Sequence, residues 1–117
     1  MRKLLIAGLF ALVLTSPVAA QDVYRISDQV TAPKPLVTPK PRYTKAAMLK
    51  RISGVVELEV DVLPDGTVGT VALVRSLDPE LDKEAAEAAK KATFAPGTKD
   101  GKPVTVRTTI NITYAMR

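Results

Sequence analysis

Apolar and polar residues alternate strictly in the stretch that follows Gly54. The apolar positions fall in one phase: Val56, Leu58, Val60 and Val62. The acidic positions fall in the other: Glu57, Glu59 and Asp61. Successive side chains leave a strand on opposite faces, so this period of two predicts a half-buried antiparallel strand. The acidic phase is then expected to form a solvated outer face.

A tight turn and a return strand are predicted directly after it. Residues 63–67 read LPDGT, in which proline presets φ at the first corner and Gly66 accepts a positive φ. The apolar positions resume in Val68–Arg75, which predicts a β-hairpin. Gly69 interrupts the alternation. It indicates either a bulge that resets the phase or a strand whose second face is partly covered.

Two helices flank this hairpin in the sequence. Thr44 can cap a helix over residues 45–52, with Gly54 as its stop. Asp78 caps a second one, and Pro79 suits its first position because the N–H there has no partner. One face of the second helix is apolar but mostly small: Leu81, Ala85, Ala88, Ala89 and Ala92. Such a face can lie close against a sheet.

A last strand is predicted from Val104, where alternation resumes as far as Tyr114. The order of elements is therefore α-β-β-α-β. Both helices should pack on one face of a three-stranded antiparallel sheet, which makes an α+β two-layer domain over residues 43–117.

The first 42 residues divide into two segments of different character. A basic start, an apolar run over residues 4–14 and small residues up to Ala20 predict a signal peptide over residues 1–20, cleaved after Ala20. An uncleaved anchor in the inner membrane is the alternative. Residues 21–42 form a leader whose four prolines favour extended chain. Within it, residues 23–26 can form a short edge strand, or the whole leader can be unstructured.

Composition narrows the classes of function. The chain has 117 residues, no cysteine and no histidine, so disulfides, thiolate metal sites and histidine chemistry are excluded. We expect neither an enzyme nor a bound cofactor or metal. The formal charge is +5, but Arg2 and Lys3 belong to the predicted signal peptide and the other basic residues are scattered. We therefore expect no nucleic-acid partner.

The remaining candidate for function is the edge of the last strand. Arg107 is the single charge between Val104 and Tyr114, and natural proteins usually protect such an edge. An unprotected edge favours pairing with an extended peptide or with a second copy of the chain. The alternative is that residues 23–26 already cover it. The candidate binding positions are Val104, Thr105, Val106, Arg107, Thr108, Thr109, Ile110, Asn111 and Ile112.

Several short motifs, in this order, resemble the C-terminal domain of the TonB family of energy transducers. They begin with Tyr43 and the run ISGVV of residues 52–56, followed by the hairpin run DVLPDGTV of residues 61–68. The alanine-rich second helix, FAPG at residues 94–97 and GKPV at residues 101–104 complete the match. Two positions depart from the family pattern: Thr44 replaces a proline, and Ala92 replaces a tryptophan.

This resemblance implies a periplasmic module that grips an extended peptide, the TonB box of outer-membrane receptors, by strand addition along the last strand. It also implies an auxiliary contact from the residues around the family's Tyr-Pro position: Pro39, Lys40, Pro41, Arg42 and Tyr43. One alternative is a minimal energy transducer whose N-terminal helix stays in the inner membrane and couples to a proton-driven motor. The other is a structural homodimer formed through the last strand.

Overall fold

The computed structural model describes residues 22–116, so the predicted signal peptide lies outside the described residues. The described part contains two helices and eight strands. In chain order they are β1 (Val23–Arg25), β2 (Lys34–Val37), α1 (Lys45–Leu49), β3 (Gly54–Val62), β4 (Val68–Arg75), α2 (Pro79–Lys90), β5 (Thr93–Ala95), β6 (Thr98–Lys99), β7 (Lys102–Pro103) and β8 (Thr105–Tyr114).

The main sheet has the strand order β1-β8-β3-β4. β3 pairs antiparallel with β4 and β8, while β1 pairs parallel with the start of β8. Two small sheets, β2 with β5 and β6 with β7, lie beside it. The predicted α+β architecture is confirmed. The sheet has four strands instead of the predicted three, because residues 23–25 pair with residues 105–107. Of the two alternatives for this part of the leader, a short edge strand or unstructured chain, the edge strand is therefore correct.

The central hairpin forms as the alternation predicts. Leu63 and Thr67 close the turn through an N–H···O bond of 2.8 Å, and Gly66 has a φ of 89°. Val62 stands opposite Val68 but Asp61 stands opposite Thr70, so Gly69 is the extra residue of a β-bulge. Of the two interpretations of Gly69, the bulge is therefore correct.

Helix α2 agrees with the prediction and helix α1 is shorter than predicted. The Asp78 carboxylate accepts hydrogen bonds from the N–H groups of Glu80 and Leu81, both at 3.1 Å, which caps α2. In contrast, α1 ends at Leu49 rather than at residue 52. The reason is Arg51, which adopts a left-handed φ of 57° and ends the helical turn before Gly54 is reached.

The core lies between the helices and the inner face of β3 and β8. The inward residues of β3 are almost fully excluded from solvent: Val56, Leu58, Val60 and Val62. Leu81 and Ala85 of α2 lie against them with no exposed surface, and Phe94 closes one end. Burying a leucine in this way contributes roughly 1.5–3 kcal/mol. This packing makes β3 a rigid support for its neighbour β8.

The outer face of the sheet differs from the prediction at Asp61. This residue is only 6% exposed, so the expectation of a solvated carboxylate was wrong there. Arg107 of β8 covers it, with Nε 2.7 Å from one carboxylate oxygen and Nη2 3.0 Å from the other. Glu57 and Glu59 of the same strand remain half-buried.

Candidate functional site

The two edges of β8 are used unequally. On one side, residues 106–114 pair along their whole length with β3. On the other side, β1 pairs only with residues 105–107. Within residues 22–116, no strand covers residues 108–114 on that second side. Alternate backbone N–H and C=O groups of this segment therefore point away from the sheet without a ladder partner. We call residues 108–114 the open edge.

The structure places the nine candidate positions in three different settings. The N–H of Val104 donates to the carbonyl oxygen of Gly97 at 3.0 Å, so this donor is already used. Residues 105–107 stand opposite β1. Only the remaining five candidates lie on the open edge: Thr108, Thr109, Ile110, Asn111 and Ile112.

A groove of about 290 Å³ runs along the open edge. Residues 108–112 form one side. Pro33, Pro35 and Thr38 of the leader contribute to the lining, together with Phe94 of β5. Proline has no backbone N–H, so neither Pro33 nor Pro35 has an amide donor to offer to the carbonyl groups of β8. The groove thus joins an unsatisfied strand edge to an apolar surface.

The auxiliary segment predicted from the resemblance lies at the Tyr114 end of the same edge. Lys40, Pro41 and Tyr43 line a second cavity of about 150 Å³, together with residues 113–115. Pro39 and Arg42 instead line a depression against α2. The structure therefore brings Lys40, Pro41 and Tyr43 of the auxiliary segment to the open edge.

Two tyrosines hold the auxiliary segment in place. The Tyr114 hydroxyl is 3.3 Å from the carbonyl oxygens of Arg42 and Leu81, and it can donate to either. The Tyr43 ring packs edge-to-face on Tyr114 with centroids 5.1 Å apart, and its hydroxyl donates to the carbonyl of Ile52. Burial, assisted by the charges of Glu84 and Asp82, raises the pKa of Tyr114 to about 12.

The leader is fastened to the domain, which its prolines did not suggest. β2 pairs antiparallel with β5, with Pro35 opposite Phe94. Before it, the Thr31 N–H donates to the Thr98 carbonyl at 2.9 Å, and Val30 is only 4% exposed. Proline is tolerated in β2 because this strand lies at an edge. Sequence reasoning missed this wall of the groove, and the buried Val30 in an otherwise polar stretch is the signal that could have indicated it.

Charge is concentrated at the start of the open edge. The hydrogen bond from Arg107 lowers the pKa of Asp61, although burial of the carboxylate opposes this shift. Arg107 also lies 3.9 Å from Glu59. In residues 22–116 there is no group of three or more acidic, histidine or cysteine side chains that could hold a metal ion. No helix in that range is long and apolar enough to cross a membrane.

Comparisons with known proteins identify relatives of this fold. Residues 39–116 match the family model described as Gram-negative bacterial TonB protein C-terminal. The solution structure of the Pseudomonas aeruginosa TonB C-terminal domain superposes with a TM-score of 0.55 at 22% identity, covering 85% of this chain and 99% of that one. At this identity the likeness shows the fold alone.

A second solved structure is more similar in sequence. The solution structure of the Helicobacter pylori TonB C-terminal domain has a TM-score of 0.52 and 31% identity, covering 65% of this chain and 80% of that one. In a comparison with curated proteins, no sequence matches this chain significantly. The family match covers β3, β4 and β8 of the main sheet and both helices, but it does not include β1. The chain therefore belongs to the TonB C-terminal domain family.

Proposed function

We propose that this protein is a periplasmic binding module that takes up an extended peptide as an additional strand on β8. The observation that supports this most directly is the open edge, residues 108–114, which no strand covers within the described part of the chain. The proposed partner is a segment of an outer-membrane receptor or another envelope protein, in keeping with a role in TonB-dependent transport.

Strand addition fits the chemistry of the groove. The open edge offers backbone donors and acceptors at the spacing of a β-ladder, and main-chain hydrogen bonds supply affinity without demanding a particular side chain. The exposed Pro35 lines the groove, and the largely buried Pro33 and Phe94 lie beside it, so the wall next to a bound peptide would be apolar. Affinity would come from the backbone and selectivity from the apolar lining.

Localisation in the periplasm is part of the proposal, with cleavage after Ala20 as its sequence basis. Intact mass of the native protein tests it directly. A mass that corresponds to a chain beginning at Gln21 is expected. A mass that retains residues 1–20 would instead favour the membrane-anchored energy transducer.

Backbone-modified peptides test the mode of binding. We would use synthetic peptides derived from outer-membrane receptors and measure their binding by calorimetry. In the peptide that binds most tightly, each residue would be N-methylated in turn. Adjacent residues of a strand point their N–H groups in opposite directions, so affinity should fall at every second position only. Loss of affinity without this alternation would contradict strand addition.

A further inference from the structure

We propose that β1 sets the length of the extended segment that the site accepts, because it occupies the first part of the same strand edge. This inference rests on the proposed function, and it concerns which peptides fit rather than whether peptides bind. It assigns a role to leader residues that precede residue 39, where the family match begins.

β1 and a bound peptide would lie end to end on one side of β8. Residues 23–25 run parallel to residues 105–107, so three positions of the ladder are already filled. The edge left over, residues 108–114, holds about seven residues, or about 23 Å at 3.3 Å per residue. A peptide residue gains ladder hydrogen bonds only within this length.

The chain that follows β1 leaves the edge at once. Ser27 and Val30 exchange backbone hydrogen bonds of 3.1 and 3.3 Å, which turns the chain away from β8. Val30 is then buried and forms a β-bridge with Lys99. Ile26, which is 48% exposed and directly follows β1, therefore stands at the start of the open edge, next to the residue 107 side. A longer peptide would meet this residue instead of further ladder positions.

The contacts of β1 itself are individually weak. Arg25 lies 3.7 Å from Glu59, and both side chains are partly exposed. Lys99 lies 4.7 Å above the ring of Tyr24. Exposed pairs of these kinds each add little to the stability of a strand. However, the nearby anchor at Val30 keeps β1 at a high effective concentration, so a separate peptide competes with it at a disadvantage.

A nested series of peptides, four to twelve residues long and extended from either end, tests this inference on the mature protein. For the wild type, affinity should rise with length up to about seven residues and then stay constant. The matched variant carries Val23→Pro and Arg25→Pro, which prevents the parallel ladder but keeps the chain length and the Val30 anchor. In this variant, affinity should keep rising with peptide length up to about ten residues, because the three ladder positions that β1 occupied are then available. The ten-residue peptide should then bind about tenfold more tightly than the seven-residue peptide, as two further hydrogen bonds would give.

Deletion of residues 22–26 provides a second variant, and thermal melting monitors the fold of both. A plateau at the same length in the wild type and in both variants would overturn the inference. A wild-type affinity that keeps rising to ten residues would also overturn it, because β1 would then be displaced. Absence of binding for every peptide in all three proteins would instead refute the proposed function, and this inference with it.

Discussion

The Arg107 guanidinium and the Asp61 carboxylate form a two-bond ion pair between β8 and β3, at 2.7 and 3.0 Å. The Thr70 hydroxyl donates to the same carboxylate at 2.7 Å, which extends the link to β4. Arg107 is also the residue directly before the open edge. The pair therefore fixes the position of β8 on its support at the point where the proposed binding site begins.

Removing this guanidinium should destabilise the domain. In Arg107→Met, the Asp61 carboxylate stays buried and keeps only the Thr70 hydroxyl as a side-chain donor, so we expect a loss of about 2 kcal/mol in the free energy of unfolding. Arg75→Met is the matched control, because Arg75 forms no ion pair within residues 22–116. Urea denaturation measures both. Equal losses in the two variants would contradict a specific role for the pair.

The hairpin turn depends on a close backbone contact at Gly66. A Cβ there would lie 2.2 Å from the carbonyl oxygen of Phe94, and the Gly66 carbonyl accepts a 2.8 Å hydrogen bond from the Phe94 N–H. Gly66→Ala should therefore lose about 3 kcal/mol of stability. Gly101→Ala isolates the backbone effect, since φ is 79° there and an added Cβ would meet no heavy atom beyond the neighbouring residues within 4 Å. It should lose only about 1 kcal/mol. Similar losses would show that the contact with Phe94 is unimportant.

Because of Tyr114, the free energy of unfolding should depend on pH in the alkaline range. Its pKa is raised to about 12 in the folded state, against about 10 in an unfolded chain. The folded state is therefore fully stable with respect to this group below pH 10, where the hydroxyl is protonated in both states. The free energy of unfolding then falls as pH rises from 10 through 12. Tyr114→Phe should remove this slope and should lose about 1 kcal/mol at neutral pH. Denaturation at several pH values tests this. Tyr24→Phe serves as control and should keep the slope.

The leader residues that line the groove, Pro33, Pro35 and Thr38, should influence peptide affinity, and Pro35 is the one to test. Pro35→Lys places a charged chain beside the open edge, where burial by a peptide is unfavourable for the ammonium group. Peptide affinity should fall at least about tenfold, measured by calorimetry. Leu36→Lys is the matched control, because Leu36 is 67% exposed and does not line the groove. It should change affinity less than about twofold, and equal effects would remove Pro35 from the site.

The features that the sequence predicted well are those encoded locally. The hairpin around Gly66 and the cap of α2 at Asp78 each depend on neighbouring residues, and both form as expected. The start of the candidate strand was also predicted to within one residue. The alternation of apolar and polar residues correctly predicted which residues of β3 and β8 face the core.

The features that were missed depend on partners far away in the chain. Asp61 does lie on the outer face, but alternation could not show that Arg107 would cover it. Likewise, β2 is too short to be recognised by period, and its partner β5 lies about 60 residues further along. A short strand over residues 23–26 was one of the two alternatives that the sequence left open, and β1 forms there, but its register on β8 depends on residues about 80 positions away. The edge strand of the site was therefore predictable, and a covering strand over residues 23–26 was a recognised alternative. The pairing of β2 beside the groove and the limit of the β1 ladder at residue 107 were not predictable.

Amide hydrogen exchange on the mature protein, with and without a saturating peptide, shows whether a peptide pairs with β8. Strand addition should slow exchange at least about tenfold at every second amide of the open edge, residues 108–114. The opposite edge strand, β4, provides an internal control and should not change. Protection confined to β4, or unchanged exchange along the open edge in the saturated sample, would rule out strand addition on β8.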